Sequence, residues 1–228
     1  MNKDDVCLVA GNLLLIEAGF VQRLRSDLIN SVFFSQLYAD SQAGKFAAPE
    51  KWYKGCANAM EKIKWQRPDY TSRDFEPEFD TQITLKDFIG NKFLELFGMK
   101  QSSGIERLMD SIEHSHDKKI GLALRDHSVA SIKKVGDSEI STIALQLGLF
   151  GAGPALHSVF ICFSTIEEVE TDFFNQCFSG EHIVGQVSVD IARQVLDLPA
   201  FERGRIAEKI LEQLPDSRDQ LVLELSAE

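Results

Sequence analysis

The apolar residues of this chain change their spacing part-way along it, and that change constrains the fold more than any other feature. Up to about residue 118 they recur at intervals of three and four; from Lys119 onward they recur at intervals of two. The first spacing lines one face of a helix, the second one face of a strand. Helices first and strands later predict an α+β fold with an antiparallel sheet, not an alternating doubly wound one. The expected architecture is a helical part (1–118) packed sandwich-like on a strand-rich part (119–228) with one late helix, the two forming one compact unit.

In the first half, Val6, Val9, Leu13, Ile16, Phe20, Leu24, Leu28 and Val32 form a continuous helical stripe, widened by Leu14, Leu15, Val21 and Ile29. Pro49 suits the first turn of a second helix, whose buried face is Trp52, Cys56, Met60 and Ile63. Residues 66–83 mix Pro, Asp, Arg and Thr with isolated aromatics and read as an ordered loop. Thr84 with Asp87 resembles a capping box opening a helix that carries Leu85, Ile89 and Phe93 and is capped by Gly98. Ser103 with Glu106 opens another, ending near His114–His116.

In the second half, Ile120, Leu122 and Leu124 alternate as a strand would. So do Ile143, Leu145, Leu147 and Leu149, then Val159, Ile161 and Phe163. Gly148 to Gly153 is glycine-rich but apolar, with no following Lys or Ser/Thr to grip a phosphate. It reads as the turn of a β-hairpin. Val187, Val189 and Ile191 form another strand, and Leu221, Leu223 and Leu225 a last one. Between them a single helix spans 199–214, opened by Pro199 and stopped by Pro215.

The 228 residues carry a net charge of −11, which disfavours nucleic acid as a partner, since no phosphate backbone is neutralised. Most of the negative charge lies in the second half: from Glu139 to Glu202 there are nine acids and one base, Arg193. The four cysteines are scattered without a CxxC pair and read as reduced core thiols. Val6–Ile16 imitates the core of a signal peptide, but Asp4 and Asp5 precede it and Glu17 follows. The expected setting is cytoplasmic, or released without a signal peptide.

Chemistry-bearing motifs are sparse. There is no G-x-S-x-G, Walker sequence, GxGxxG or HExxH, so an enzyme of a motif-bearing class is not expected, nor a cofactor. His114 and His116 are the densest potential metal ligands, with Asp126 and His127 ten residues on. Imidazoles at a helix C-terminus are equally explained by the dipole there. Glu167, Glu168, Glu170 and Asp172 form an acidic run without EF-hand spacing.

Three functions fit. The leading one is a soluble non-catalytic interaction protein (an inhibitor, immunity-type or effector-associated factor) that binds a protein partner through Glu167, Glu168, Glu170 and Asp172. The alternative is a membrane-active, pore-forming or insecticidal-type toxin whose Val6–Phe34 helix and Ile143–Phe163 hairpin become exposed. Against it stand the charge, unfavourable on anionic membranes, and the hairpin's imperfect alternation of apolar and polar residues. The third is a metal-dependent hydrolase centred on His114 and His116.

Overall fold

The computed structural model describes residues 4–114, 118–135, 138–151 and 153–225. Strand β1 (Asp5–Val9) turns at Ala10–Gly11 into β2 (Asn12–Ile16), and α1 (Arg25–Gln42) and α2 (Pro49–Lys62) follow. Next come β3 (Trp65–Phe75), β4 (Gln82–Thr84), α3 (Leu85–Phe97), α4 (Met99–Glu113) and α5 (Lys118–Ser128). The strands β5 (Val129–Val135), β6 (Ser138–Phe150), β7 (Ala155–Thr165), β8 (Cys177–Ser179) and β9 (Ile183–Leu196) come after them. The chain closes with α6 (Leu198–Arg203), α7 (Ile206–Leu211), α8 (Arg218–Leu221) and β10 (Val222–Glu224).

This is the α+β fold that the change of period predicts. One sheet runs in the order β10-β1-β2-β6-β7-β9-β3, with β5 also paired to β6, and helices cover both its faces. The sandwich is therefore helix–sheet–helix. The sheet is antiparallel except where β2 lies parallel to β6.

On one face, Leu85, Ile89 and Phe93 of α3, Ile105, Leu108 and Met109 of α4, and Ile120 and Leu124 of α5 pack on the aliphatic side of the sheet. On the other face α1, α2, α6 and α7 form two smaller apolar clusters. Each fully buried large side chain contributes about 1.5–3 kcal/mol, and both faces bury many of them, the first in one continuous cluster and the second in two.

Four elements differ from the sequence reading. The stripe from Val6 to Val32 is a β-hairpin followed by α1. Ala10 and Gly11 adopt positive φ (46° and 88°), which closes a two-residue hairpin turn and ends any helix there. Both strands are buried almost throughout, so their apolar runs carry no clear period. The supposed loop at 66–83 holds β3 and β4; β3 is an exposed edge strand, which lets it keep Pro68 at a bulge.

The supposed strand at Ile120–Leu124 is α5. It buries Ile120 and Leu124, four apart, and leaves Leu122 exposed. The late helix is two helices, broken at Arg205, whose φ is 49°. By contrast α2, α3 with Gly98 at its end (φ 85°), and the β6–β7 hairpin stand where the sequence predicts them. Gly148 belongs to β6 rather than to the turn, where a Cβ would lie 2.7 Å from Leu14 and 2.9 Å from Leu156.

Candidate functional site

The feature with the clearest functional geometry is the middle of the sheet. Strand register resolves what the bare sequence blurs. Leu13, Leu147, Val159 and Ile191 form one rung across β2, β6, β7 and β9, and Leu145, Ile161 and Val189 form the next. Every one of these side chains is at most 5% exposed and belongs to a single apolar cluster.

The intervening residues face the other way and are small or polar. They are Thr142, Ala144, Gln146 and Gly148 in β6, Ser158, Cys162 and Ser164 in β7, and Gln186, Ser188, Asp190, Ala192 and Gln194 in β9. Phe160 is the large exception in the middle of this face; Phe150 and Leu156 sit at one end of it in the second cluster. The imperfect alternation of the hairpin comes from these three residues. Along β9 the alternation Val187, Ser188, Val189, Asp190, Ile191 is clean.

The part of this polar band formed by Gln146, Ser158 and Gln194, with Asn12 of β2, is buried beneath α1 and α2, whereas Gln186 is exposed. Gln36 of α1 donates from Nε2 to the Val9 carbonyl at 2.8 Å. Asn12 Oδ1 and Gln146 Oε1, opposite each other in the β2–β6 register, are buried without a hydrogen-bond partner. A cavity of about 10 Å³ lies among Asn12, Ser35, Gln146, Ser158 and Gln194. Phe160 is gripped by Trp52 and Tyr53 of α2, at ring-centroid distances of 5.7 and 5.3 Å. Trp52 Nε1 donates to Asp40 Oδ1 at 2.6 Å. Asp190 accepts a hydrogen bond of 2.6 Å from the Tyr70 hydroxyl, and burial pushes its carboxyl above the usual carboxylate range.

The residues singled out in the sequence lie elsewhere. Glu167 turns inward: its Oε1 accepts from the Ser179 N–H at 2.9 Å and contacts His182 Nδ1 at 2.8 Å. Glu168, Glu170 and Asp172 are exposed, in a loop pinned by buried Val169, Phe173 and Phe174. Gln176 ties that loop to itself, donating to the Glu168 carbonyl and accepting from the Glu170 N–H, both at 2.8 Å. Asn175 is within 3.2 Å of the Asp172 carboxylate.

His114 ends α4 with Nδ1 2.9 Å from the Asp110 carbonyl oxygen, and His116 lies outside the described residues. His127 packs against Gly11 and Asp126 is exposed; among the described residues no group of three or more His, Cys, Asp or Glu could hold a metal ion. Cys7, Cys56 and Cys162 are buried thiols, Cys162 pushed up to about 11 by burial, whereas Cys177 is exposed rather than in the core.

Among the described residues no helix is long and apolar enough to cross a membrane. No protein-family model and no curated protein matches the sequence. Several solved structures superpose on it, among them the following three. One is a delta-endotoxin, at TM-score 0.46 and 8% identity, covering 81% of this chain and 80% of that one. Another is the activated Cyt2Ba monomer of Bacillus thuringiensis subsp. israelensis, at TM-score 0.43 and 8% identity, covering 81% and 96%. The third is the Evf virulence factor, at TM-score 0.41 and 9% identity, covering 90% and 79%.

The leading sequence reading, a non-catalytic interaction protein with an acidic docking face, is corrected here. These neighbours are toxins and a virulence factor, not inhibitors or immunity proteins. The acidic run has its own structural explanation, with Glu167 bonded inward and the rest borne on a loop tied to itself.

Proposed function

We propose that this chain is a membrane-active protein of the pore-forming kind, held in water as a two-faced sheet closed between helical layers. The observation that carries the reading is the β6–β7–β9 unit, whose one face is aliphatic and whose other face is small and polar. The strands hold 13, 11 and 14 residues, and a tilted strand crosses a bilayer with about 9–11. Along β6 the aliphatic band runs from Ile143 to Leu149, about 20 Å at about 3.4 Å per residue, near the roughly 25 Å apolar band of membrane barrels; the rung of Leu149 is closed by His157 of β7 and Arg193 of β9, which put a polar rim at that end.

A sheet of this kind needs no new sequence to meet lipid. It needs only that α3, α4 and α5 leave its aliphatic face, with that face turning to acyl chains and the polar face to water. The corner between α3 and α4 supplies a point of first contact, with Leu94 46%, Leu96 38% and Met99 77% exposed beside Lys92 and Lys100. The net charge of −11 favours zwitterionic over anionic bilayers.

The test is dye release from phosphatidylcholine vesicles by wild type and by a protein whose helical layer is tied to the sheet. An added Cβ on Gly104 of α4 would lie 3.6 Å from Leu149 Cγ of β6, so Gly104→Cys with Leu149→Cys, in a Cys177→Ser background, staples the two. Release by wild type, loss in the oxidised staple and return on reduction are expected. No release by wild type at neutral or acidic pH, or undiminished release by the oxidised staple, overturns the reading.

A further inference from the structure

Strand β3 is one end of the sheet, and its outer edge is uncovered. Residues 66–75 are exposed or half-buried, with Tyr70 42% exposed. Among the described residues no backbone hydrogen bond from them reaches anything but β9. The strand stands between two open clefts. One, of about 570 Å³, lies between Thr71, Arg73 and Phe75 and helix α3; the other, of about 390 Å³, lies between Tyr70, Ser72 and Asp74 and helix α2.

An open edge presents unpaired N–H and C=O groups, and proteins blunt such edges with proline, bulges and charge. Here Pro68 and the bulge between Gln66 and Asp69 blunt only the first part. From Asp69 to Phe75 the strand is regular: each residue advances one step along β9, from Arg193 to Val187.

The charges of that regular part do not repel a second copy in every alignment. Two copies of one strand paired antiparallel about a two-fold axis must be centred on a residue, because opposite residues have to share a face. Centring on Asp69 or on Arg73 sets like charges opposite each other, and centring on Tyr70 sets Arg67 against Arg73. Centring on Ser72 forms no charge pair. Centring on Thr71 alone sets Asp69 opposite Arg73 twice over, with Thr71 facing Thr71 and Tyr70 facing Ser72. Opposite charges and paired threonines are the cross-strand neighbours that stabilise a sheet.

We infer that the β3 edge is a self-association surface whose partner is a second copy of this chain, joined antiparallel about Thr71 to give one continuous sheet. The inference does not rest on membrane activity: it follows from the edge and its charge pattern. Asp69 also meets Arg193 within its own chain at 3.2 Å, so in the pair its carboxylate lies between two guanidinium groups.

Single cysteines on β3 test the register, in a Cys177→Ser background because the other three thiols are buried. Directly opposite Cα atoms lie about 4.5–5.5 Å apart, within disulfide reach, whereas residues two places out of register exceed about 7 Å and are not bridged. Thr71→Cys is expected to link to itself under mild oxidation at least tenfold faster than Phe79→Cys, an exposed site off the strand. Asp69→Cys and Arg73→Cys should each stay monomeric alone and link when mixed.

By sedimentation, Arg73→Asp should dissociate the dimer, because Asp then faces Asp, and Asp69→Arg with Arg73→Asp should restore it. Equal linking at all positions, no faster linking at Thr71→Cys, or a monomeric wild type at every concentration overturns the inference. Failure of the vesicle experiment alone does not.

Discussion

The two faces of the central sheet are built from the same strands and differ in what holds their helices on. Beneath α3, α4 and α5 the contact is one continuous aliphatic cluster reaching from Leu13 in β2 to Ile191 in β9. Beneath α1 and α2 the apolar contacts divide into a patch around Leu14, Phe33 and Phe150 and another around Trp52, Tyr53 and Phe160. Between them runs a buried band of Asn12, Gln146, Ser158 and Gln194 with orphaned acceptors and a small cavity. Burial of aliphatic area stabilises in proportion to the area, whereas a buried acceptor without a donor costs about 1–3 kcal/mol. A sheet wanted only for water would gain from making both faces aliphatic. A sheet that must later face lipid on one side and water on the other keeps this asymmetry.

The contrast breaks most readily on the aliphatic side. Leu147 is fully buried in the middle of its rung, and Leu147→Ala removes that side chain and leaves a cavity. A loss of about 2–5 kcal/mol is expected from the midpoint of denaturant unfolding. A loss below about 1 kcal/mol would mean that this face is loosely packed and that the two layers are held alike.

The next residue sharpens the contrast, because Gln146 points to the opposite face. Its Oε1 is buried without a partner, so Gln146→Leu removes an unmet acceptor and adds apolar contact across from Asn12. Stability is expected to rise by up to about 1 kcal/mol, and dye release to fall, since the polar face is then less suited to water. A loss of more than about 1 kcal/mol would show that the band is knit by water through Gln146.

How much of this was legible in the sequence follows from what each segment buries. The β6–β7 hairpin shows itself because Ile143 to Leu149 and Val159 to Phe163 alternate around Gly151–Pro154. Helix α2 shows itself because only one side is buried and Pro49 opens it. The β1–β2 hairpin does not, because Leu13, Leu14 and Leu15 are buried on both faces and happen to match helical spacing with Val6 and Val9. The signal that separates them is Ala10–Gly11, a turn that three- and four-residue spacing reads straight through.

Strand β3 is hidden for the opposite reason, since an exposed edge has no apolar face to alternate. The two-faced sheet is legible only in part. Val187 to Ile191 displays it, but Phe160, Phe150 and Leu156 obscure it in β6 and β7, and only the register assigns them to the polar side, beneath α1 and α2. The acidic run from Glu167 stands out in the sequence by charge alone, while its structural anchors are the buried Val169 within it and Phe173 and Phe174 just after it.

The smallest effect is expected at Asp190, a buried carboxylate on the polar face, opposite Phe160 and Ser72 in the register. Burial raises its pKa above the ordinary 3.8, and the negative charges of Asp74 and Glu50 act in the same direction. Hydrogen bonds from Tyr70 and Ser72 act against them without reversing the direction. A carboxyl whose folded pKa exceeds its unfolded value binds more protons in the folded state, so it lowers stability as pH rises. That cost is fully present above the raised folded value and absent below 3.8. Asp190→Asn keeps an acceptor for the Tyr70 hydroxyl and removes the charge. The variant should therefore be at least as stable as wild type at pH 7, and the gap should close as the pH falls through the acid range towards 3.8. Unfolding followed at several pH values checks this. A variant that is less stable at neutral pH and recovers in acid would mean that the Tyr70 and Ser72 donors stabilise the carboxylate more than burial opposes it. The polar face would then be held on by this residue rather than merely tolerating it.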